Sequence, residues 1–324
     1  QIVISSKDGV PMKAPRWRSP AFEMRVHGMA VAEFEGPGKL GTALADDRNV
    51  GLFAYPPSTV KPLASFKHPG VAPRIVSLES GDLNGNGRAE LFVSLYNETF
   101  TRFETLVLEF EDGKFKTLAD IPYLVRGHDD GTGKKVLAMQ QLHEDSTFPF
   151  GAIYPLVYED GKYKAGKGAI RIKRVDFLYD FTKVDLDGSG SPAVLYLTSN
   201  DVIRAQFKTG TWKGRDSFGQ SPIRVRWAGK LLEFRPNFAV SYGADKKPAI
   251  YAVRNISVLG SLSEPFGLFN NGEIHRKSWD GVGLKADWKA ELGGYSTAIA
   301  ISKDDLAVAV TGSSGRSSVW IYDP

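Results

Sequence analysis

Short apolar runs separated by turn residues dominate the chain. Runs such as Ala89–Tyr96, Glu104–Glu109, Ala193–Leu197 and Leu306–Val310 are rich in Val, Leu, Phe and Tyr. Gly, Asp, Asn or Pro interrupts the sequence about every ten residues, which is typical of strands joined by turns. The three-to-four-residue apolar spacing of an amphipathic helix is almost absent. The pattern therefore predicts an all-β protein.

The chain also contains a longer sequence repeat that spans several predicted strands. The step Gly-x-Gly recurs 46 to 57 residues apart, starting at Gly36, Gly85, Gly131 and Gly188. Asp112-Gly113 and Asp160-Gly161 recur in phase with it, and Asp-Gly favours the two-residue turn of an antiparallel hairpin. A four-stranded antiparallel unit repeated at this spacing is typical of a β-propeller blade.

The repeat predicts a single β-propeller domain over residues 1–324, with six blades favoured and seven as the alternative. The predicted blades lie near residues 26–70, 71–120, 121–171, 172–221, 222–291 and 292–324. A seventh blade would require an additional unit within 222–291.

The last predicted blade has three strands, and an open ring would expose two unpaired sheet edges. We therefore expect a strand from residues 1–25 to close the ring beside Val319–Tyr322. Ile2–Ile4 and the stretch from Val10 to Trp17 are both long enough to do so.

One loop carries a pattern of oxygen-bearing side chains. Asp82, Asn84, Asn86 and Glu90 occupy loop positions 1, 3, 5 and 9, with glycines between them. Side-chain oxygens at this spacing favour Ca²⁺. The opening residues also fit an EF-hand loop, but position 12 is Val93 rather than Glu and the flanks are predicted strands, so that interpretation fails.

This loop resembles the calcium motif of the FG-GAP/VCBS-repeat β-propellers, a family of bacterial surface and secreted proteins and of integrin α-subunit heads. The resemblance implies structural calcium bound by the side chains of Asp82, Asn84, Asn86 and Glu90 and by the carbonyl of Arg88. It also implies that the protein works by binding or adhesion. A second copy of the motif matches at Asp185, Asp187 and Ser189, but Ala193 stands where the first copy has Glu90.

Residues 255–272 interrupt the blade rhythm. They form a stretch too long for a hairpin turn and too apolar for an ordinary loop, which suggests an insertion that binds a partner. The candidate partner-binding residues are Val258, Leu259, Leu262, Phe266, Leu268 and Phe269. Alternatively, the insertion folds back and caps the propeller core.

Composition and motifs narrow the function classes. The 41 Lys and Arg residues exceed the 37 Asp and Glu residues only slightly, and they are interspersed, so nucleic acid is not an indicated partner. The absence of Cys excludes disulfides, thiol catalysis and Cys-based zinc sites. No apolar run approaches the roughly 18 residues of a membrane span. The five histidines form no zinc motif, and no nucleophile elbow or phosphate-binding loop is present.

These observations predict a non-enzymatic, exported propeller that binds a protein partner or joins a surface assembly. The chain begins with Gln1, which we interpret as a processed or truncated start, and the resemblance places the protein in the periplasm, on the cell surface or outside a bacterial cell. Two alternatives remain. One is a carbohydrate-binding or carbohydrate-cleaving propeller that uses tryptophans on the ring face. The other is an obligate subunit of an extracellular assembly that exchanges a strand or the insertion between chains.

Overall fold

The computed structural model describes residues 8–144, 147–243, 247–259, 266–302 and 305–324. Within those ranges the secondary structure consists of 26 β-strands and one 3₁₀ turn at Leu178–Asp180. Twenty-four strands form six four-stranded antiparallel sheets, and the remaining two form a separate hairpin. The prediction of an all-β propeller with six blades is confirmed.

The first three blades follow the chain order. Blade 1 contains β2 (Gly28–Ala32), β3 (Gly41–Ala45), β4 (Asn49–Ala54) and β5 (Ala64–Lys67). Blade 2 contains β6 (Pro73–Gly81), β7 (Glu90–Asn97), β8 (Arg102–Glu111) and β9 (Lys114–Ile121). Blade 3 contains β10 (Leu124–Asp129), β11 (Lys135–Leu142), β12 (Phe150–Glu159) and β13 (Lys162–Ala165).

The last three blades include the closing strand. Blade 4 contains β14 (Phe181–Val184), β15 (Ala193–Leu197), β16 (Val202–Gln206) and β17 (Thr211–Ser217). Blade 5 contains β20 (Ala239–Tyr242), β21 (Pro248–Ser257), β22 (Phe269–Trp279) and β23 (Leu284–Glu291). Blade 6 contains β24 (Tyr295–Ile301), β25 (Leu306–Thr311), β26 (Ser317–Tyr322) and β1 (Trp17–Arg18).

The extra length between blades 4 and 5 does not form a seventh blade. It forms a two-stranded hairpin of β18 (Arg224–Trp227) and β19 (Lys230–Glu233). Val225, Trp227 and Leu232 of this hairpin are buried in an apolar cluster with residues of blades 2, 3 and 4. The hairpin therefore lies over the ring, and it accounts for part of the extra length of the predicted fifth blade.

A strand from the N-terminus closes the ring, as the sequence predicts. In β1, Trp17 pairs with Ile321 in antiparallel register. The backbone amides of Arg16 and Ser19 donate to the carbonyls of Ile321 and Val319 at 2.8 and 2.9 Å. The closing strand belongs to the second of the two candidate stretches, whereas Ile2–Ile4 lies outside the described residues.

The blades stack through strands that are apolar on both faces, as in β7. Leu91 and Val93 pack with residues of blade 1, whereas Phe92, which points the other way, packs with residues of blade 3. Alternate residues of a strand point to opposite faces, so a continuous apolar run suits a sheet buried on both sides.

The two ends of the predicted insertion extend the strands of blade 5. The β21–β22 ladder continues through the pairs Asn255↔Gly272 and Ser257↔Phe269, which leaves residues 258–268 as the connection. Asn255 is buried and its side chain bonds the backbone of Gln220 and Ser296 at 2.7 to 2.9 Å, so it joins blade 5 to its surroundings. The expectation of a long loop over 255–272 is corrected accordingly.

We predict that deleting residues 1–20 destabilises the whole protein. The deletion removes β1 and leaves the edge of β26 without the hydrogen bonds that Arg16 and Ser19 supply. Thermal unfolding should show a fall in melting temperature of at least about 5 °C, because each kcal/mol of lost stability lowers the melting temperature of a large domain by roughly 2–4 °C. Size-exclusion chromatography should show association through the open edge. A monomer with unchanged stability would contradict closure by β1.

Candidate functional site

The antiparallel blades give the ring two chemically different faces. The face where each innermost strand ends, which we call the loop face, carries the connections between first and second strands and between third and fourth strands. The opposite face, which we call the plug face, carries the connections between second and third strands and the segments between blades. The Asp82 and Asp185 loops lie on the loop face, and residues 258–268 lie on the plug face.

The Asp82 loop is closed by its own hydrogen bonds. Asp82 Oδ1 accepts from the amides of Gly85 and Asn86 at 2.8 and 3.1 Å, and Oδ2 accepts from Gly87 N at 2.9 Å. Gly85 and Gly87 have φ of 74° and 83°, a region that glycine adopts without strain. The loop thus holds its shape through an aspartate that caps three backbone donors.

Glu90 lies beneath this loop as a buried hydrogen-bond acceptor. Its carboxylate accepts from the amides of Leu83 and Asn84 at 2.8 and 3.0 Å and from the Tyr163 hydroxyl at 2.8 Å. Burial raises the pKa of Glu90 even though these donors oppose the shift. Tyr163 comes from blade 3, so Glu90 also ties the loop to the neighbouring blade.

Glu109 on β8 completes the loop, although the sequence pattern does not single it out. Its Oε2 accepts from Asn84 Nδ2 and Asn86 Nδ2 at 3.2 and 2.6 Å. The Oδ1 atoms of the two asparagines accept from the amides of Asn86 and Arg88, at 3.0 and 2.9 Å. The available signal was a Glu within the apolar run of β8, but its partner Asn86 lies 23 residues away in sequence.

The Asp185 loop differs because its oxygens are not all satisfied. Asp185 Oδ2 accepts from Gly190 N at 2.9 Å, but the buried Oδ1 has no hydrogen-bond partner. Asp187 accepts from Ser189 N at 3.1 Å and lies within hydrogen-bonding reach of Asp185. Hydrogen bonds within this loop lower the pKa of Asp187, chiefly those from Ser189. A buried orphan oxygen beside a second carboxylate fits a bound cation.

The described residues contain no group of three or more His, Asp or Glu side chains arranged to hold a metal ion. Any calcium site in these loops must therefore use amide, hydroxyl or carbonyl oxygens besides its carboxylates. That donor set is the one the loop sequences supply, and it is compatible with Ca²⁺.

The predicted partner-binding residues divide into exposed and buried members. Val258, Leu259, Phe266 and Leu268 are 49, 69, 75 and 55 % exposed. Phe269 is 8 % exposed and its ring lies 5.9 Å from the Arg224 guanidinium, so the expectation that it is exposed is wrong. Its place in the β22 ladder explains the burial. Leu262 lies outside the described residues.

Exposed bulky apolar side chains concentrate on the plug face. Twelve such side chains occur in the described part of the chain, and the connections place eight of them there. The eight are Val71, Phe100, Phe148, Leu231, Val258, Leu259, Phe266 and Leu268. Leu40, Val60, Leu63 and Val282 belong to connections of the loop face.

The tryptophans do not form one platform. Trp227 packs in the cluster of blades 2 to 4 and Trp288 in that of blades 5 and 6, while Trp212 and Trp279 pack between blades 4 and 5. Trp17 packs against the cluster between blades 6 and 1. The carbohydrate alternative therefore gains no support from their placement.

A central cavity of about 310 Å³ is lined by first strands of five blades. Its buried acid, Glu79, lies 2.8 Å from Lys135 Nζ and 3.6 Å from Arg126 Nη1, and Asn237 Nδ2 donates to it at 3.1 Å. Burial alone would raise the pKa of Glu79, but the two cations lower it on balance. His128 and Asp129 both line this cavity.

The fold and the two faces define a six-bladed β-propeller closed by an N-terminal strand. The sequence matches no protein-family model, and a search of curated proteins finds no match. The chain is similar to two solved structures of BBS1N in complex with ARL6DN, one soaked with mercury and one with lead. The mercury-soaked structure is 13 % identical with a TM-score of 0.41, covering 93 % of this chain and 80 % of that one. The lead-soaked structure is 12 % identical with a TM-score of 0.43, covering 96 % of each chain.

No helix in the described ranges has the length and apolar character needed to cross a membrane.

We predict that Glu90→Gln destabilises the fold by about 2 kcal/mol, with or without a calcium chelator. In the variant an NH₂ group replaces one carboxylate oxygen, and it faces N–H and O–H groups that are themselves donors. An unsatisfied buried polar group costs about 1–3 kcal/mol. Urea unfolding in EDTA and in excess calcium measures the effect. Glu111→Gln, which changes a half-exposed acid on the neighbouring strand β8, serves as the control and should change little. A loss of stability seen in calcium alone would show instead that Glu90 is a metal ligand.

Proposed function

We propose that this propeller is a protein-binding scaffold whose partner docks on the plug face. The observation that carries the proposal is the concentration of eight exposed bulky apolar side chains on that face. Large exposed apolar patches on a protein surface mark interaction sites. We propose binding rather than catalysis as the activity, because the sequence offers no catalytic motif and the buried acid of the central cavity is already paired with two cations.

The centre of the proposed interface is the tip of the β21–β22 hairpin, which contains Val258, Leu259, Phe266 and Leu268. The tip rests on the inter-blade segment. A Cβ on Gly267 would lie 3.3 Å from Pro222 Cα and 3.6 Å from Arg224 Nε, so the backbones are close. Apolar anchors held on a supported hairpin lose little conformational freedom on binding, which favours affinity.

Lys and Arg outnumber Asp and Glu in the plug-face segments 166–180 and 218–238, and this local charge favours an acidic partner. Exposed cations accompany the apolar side chains, and they make no ion pair within the described residues. They are Lys167, Arg171, Lys173, Arg174, Arg226 and Lys230. Complementary charge steers association and selects partners. We infer that the partner presents an acidic surface with an apolar centre.

The double variant Phe266→Ser/Leu268→Ser should abolish partner binding and leave the melting temperature nearly unchanged, because surface substitutions seldom cost more than about 0.5 kcal/mol. Pull-down from the native source followed by titration of the identified partner measures this. Val282→Ser, which changes an 82 % exposed residue on the loop face, is the matched control and should bind normally. Binding that survives the double variant, or is lost in the control, would contradict docking on the plug face.

We further propose that the protein belongs to the FG-GAP/VCBS class and is exported as part of a surface or adhesion assembly. The support is the period of the Gly-x-Gly loops, the oxygen-rich motif in two of them and the lack of Cys. Fractionation of the native source tests export, and recovery in the cytoplasm would contradict it.

We propose structural calcium in the loops, with the Asp185 loop as the better supported site. Asp185, Asp187 and Ser189 would hold the ion, since Asp185 Oδ1 is buried without a partner. A cation there would neutralise two neighbouring carboxylates and fix the loop. In the Asp82 loop, the side chains of Asp82, Asn84 and Asn86 would have to exchange hydrogen bonds for metal contacts.

Calcium should raise the melting temperature, and Asp185→Asn should remove most of the rise. A ligand present at 100 times its Kd stabilises the folded state by about 2.7 kcal/mol. Thermal unfolding at increasing calcium concentration measures it, with Asp112→Asn at an exposed turn of blade 2 as the control. An equal rise in Asp185→Asn would place the ion elsewhere, and no rise in the wild type would defeat the calcium proposal.

A further inference from the structure

A lysine is buried between blades 4 and 5. Lys277 on β22 is 7 % exposed and stands opposite Ile250 of β21. Residues directly opposite in an antiparallel pair point to the same face, and Ile250 packs in the apolar cluster between these two blades. Lys277 therefore points into an inter-blade space rather than to solvent.

The ammonium group of Lys277 has no anionic partner there. Among the described residues no carboxylate lies within ion-pair distance of Lys277 Nζ. The ammonium group lies over the ring of Phe218, with Nζ 4.8 Å from the ring centroid. Burial lowers the pKa of Lys277; the more distant carboxylates of Asp216 and Asp287 oppose this shift, and Arg254 reinforces it. A cation–π contact contributes roughly 0.5–2 kcal/mol, which offsets only part of the cost of burying a charge.

A cavity of about 300 Å³ adjoins this lysine. Ile203, Trp212, Phe218 and Leu284 give it apolar walls, and Lys213 and Arg215 add two cations against the single carboxylate of Asp216. Its size is at the lower end of the range of small-molecule sites, about 300–1,000 Å³. Apolar walls around an uncompensated cation match an apolar ligand that carries one negative charge.

We propose that the cavity between blades 4 and 5 binds a small aromatic or aliphatic carboxylate, with Lys277 pairing its carboxylate and Trp212, Phe218 and Leu284 contacting its apolar body. The site is separate from the plug face, because Lys277 and Trp212 lie within the ring wall, on strands β22 and β17. Ligand binding here would join two neighbouring blades. It does not depend on the docking of a protein partner.

The sequence contained a signal for this site. His275, Lys277 and Trp279 alternate along β22, so all three point to the face packed against blade 4. Two polar residues at such positions are unusual, since an unpaired buried Lys is rare. The His275 ring contacts Phe218 at 5.1 Å between centroids and bonds Glu273 at 2.9 Å, which leaves Lys277 as the uncompensated group.

The test compares 2-naphthoate with its neutral analogue 2-naphthalenemethanol by isothermal titration calorimetry. The wild type should bind the carboxylate at least tenfold more tightly than the alcohol. Lys277→Met keeps the volume of the side chain and removes the charge, so it should abolish this difference. Lys208→Met, at an exposed position outside the cavity, should behave as the wild type does.

Thermal unfolding without ligand gives an independent readout. Lys277→Met should melt at the same or a higher temperature, because replacing an unpaired buried charge with an apolar side chain removes a desolvation cost. A marked fall in melting temperature would show that the ammonium has a structural partner and would overturn the proposal. Equal affinity of Lys277→Met and wild type for 2-naphthoate would overturn it as well, as would the absence of binding to the wild type. None of these outcomes bears on partner docking at the plug face.

Discussion

The hydrogen bonds between β1 and β26 hold the ring together. Each blade packs its faces against two neighbours, so the stack is stable only when the sixth blade is complete and meets the first. The amides of Arg16 and Ser19 supply that completion from the other end of the chain. Bonds elsewhere reinforce it, including the mutual backbone pairing of Phe22 with Ser317 at 2.7 and 3.2 Å. Because the two termini share one sheet, the ring has no open seam in the described part of the chain.

The antiparallel order within each blade separates the two faces of the closed ring. Because successive strands of a blade run in opposite directions, the position of a connection in its blade decides on which face it lies. The described connections of the loop face are mainly short, polar turns that cap their own backbone, as Asp82 does. The plug face carries the longer segments, including the β18–β19 hairpin and the 258–268 connection. The difference in apolar exposure between the faces follows from where the chain places its extra length.

Hydrogen bonds to the ring hold the plug segments. The Arg74 guanidinium donates to the Arg224 carbonyl at 2.9 Å, and Arg126 donates to the Arg235 carbonyl at 2.8 Å. The Tyr179 and Ser77 hydroxyls lie 2.6 Å apart. These contacts connect first strands of blades 2 and 3 to the segments that cover them, so the plug face is anchored to the ring rather than loosely attached.

The sequence predicted the features that depend on local periodicity. The spacing of Gly-x-Gly and Asp-Gly steps indicated the blades, and the missing fourth strand of the last blade indicated closure by the N-terminus. It did not predict features that depend on register between distant strands. Phe269 is buried because it pairs with Ser257, and Glu109 reaches the Asp82 loop from another strand. The composition of 255–272 did not distinguish a long hairpin from a loop, because both tolerate apolar residues.

Site-specific photo-crosslinking in the native source tests the central claim, that the plug face is the docking surface, most directly. A photoreactive phenylalanine analogue would be placed at Leu268 on the plug face and, in a second variant, at Val282 on the loop face. If the partner docks on the plug face, one protein is crosslinked from position 268 and its crosslinked peptide is acidic, while position 282 gives no product. Crosslinking of the same protein from position 282, with none from position 268, would contradict it.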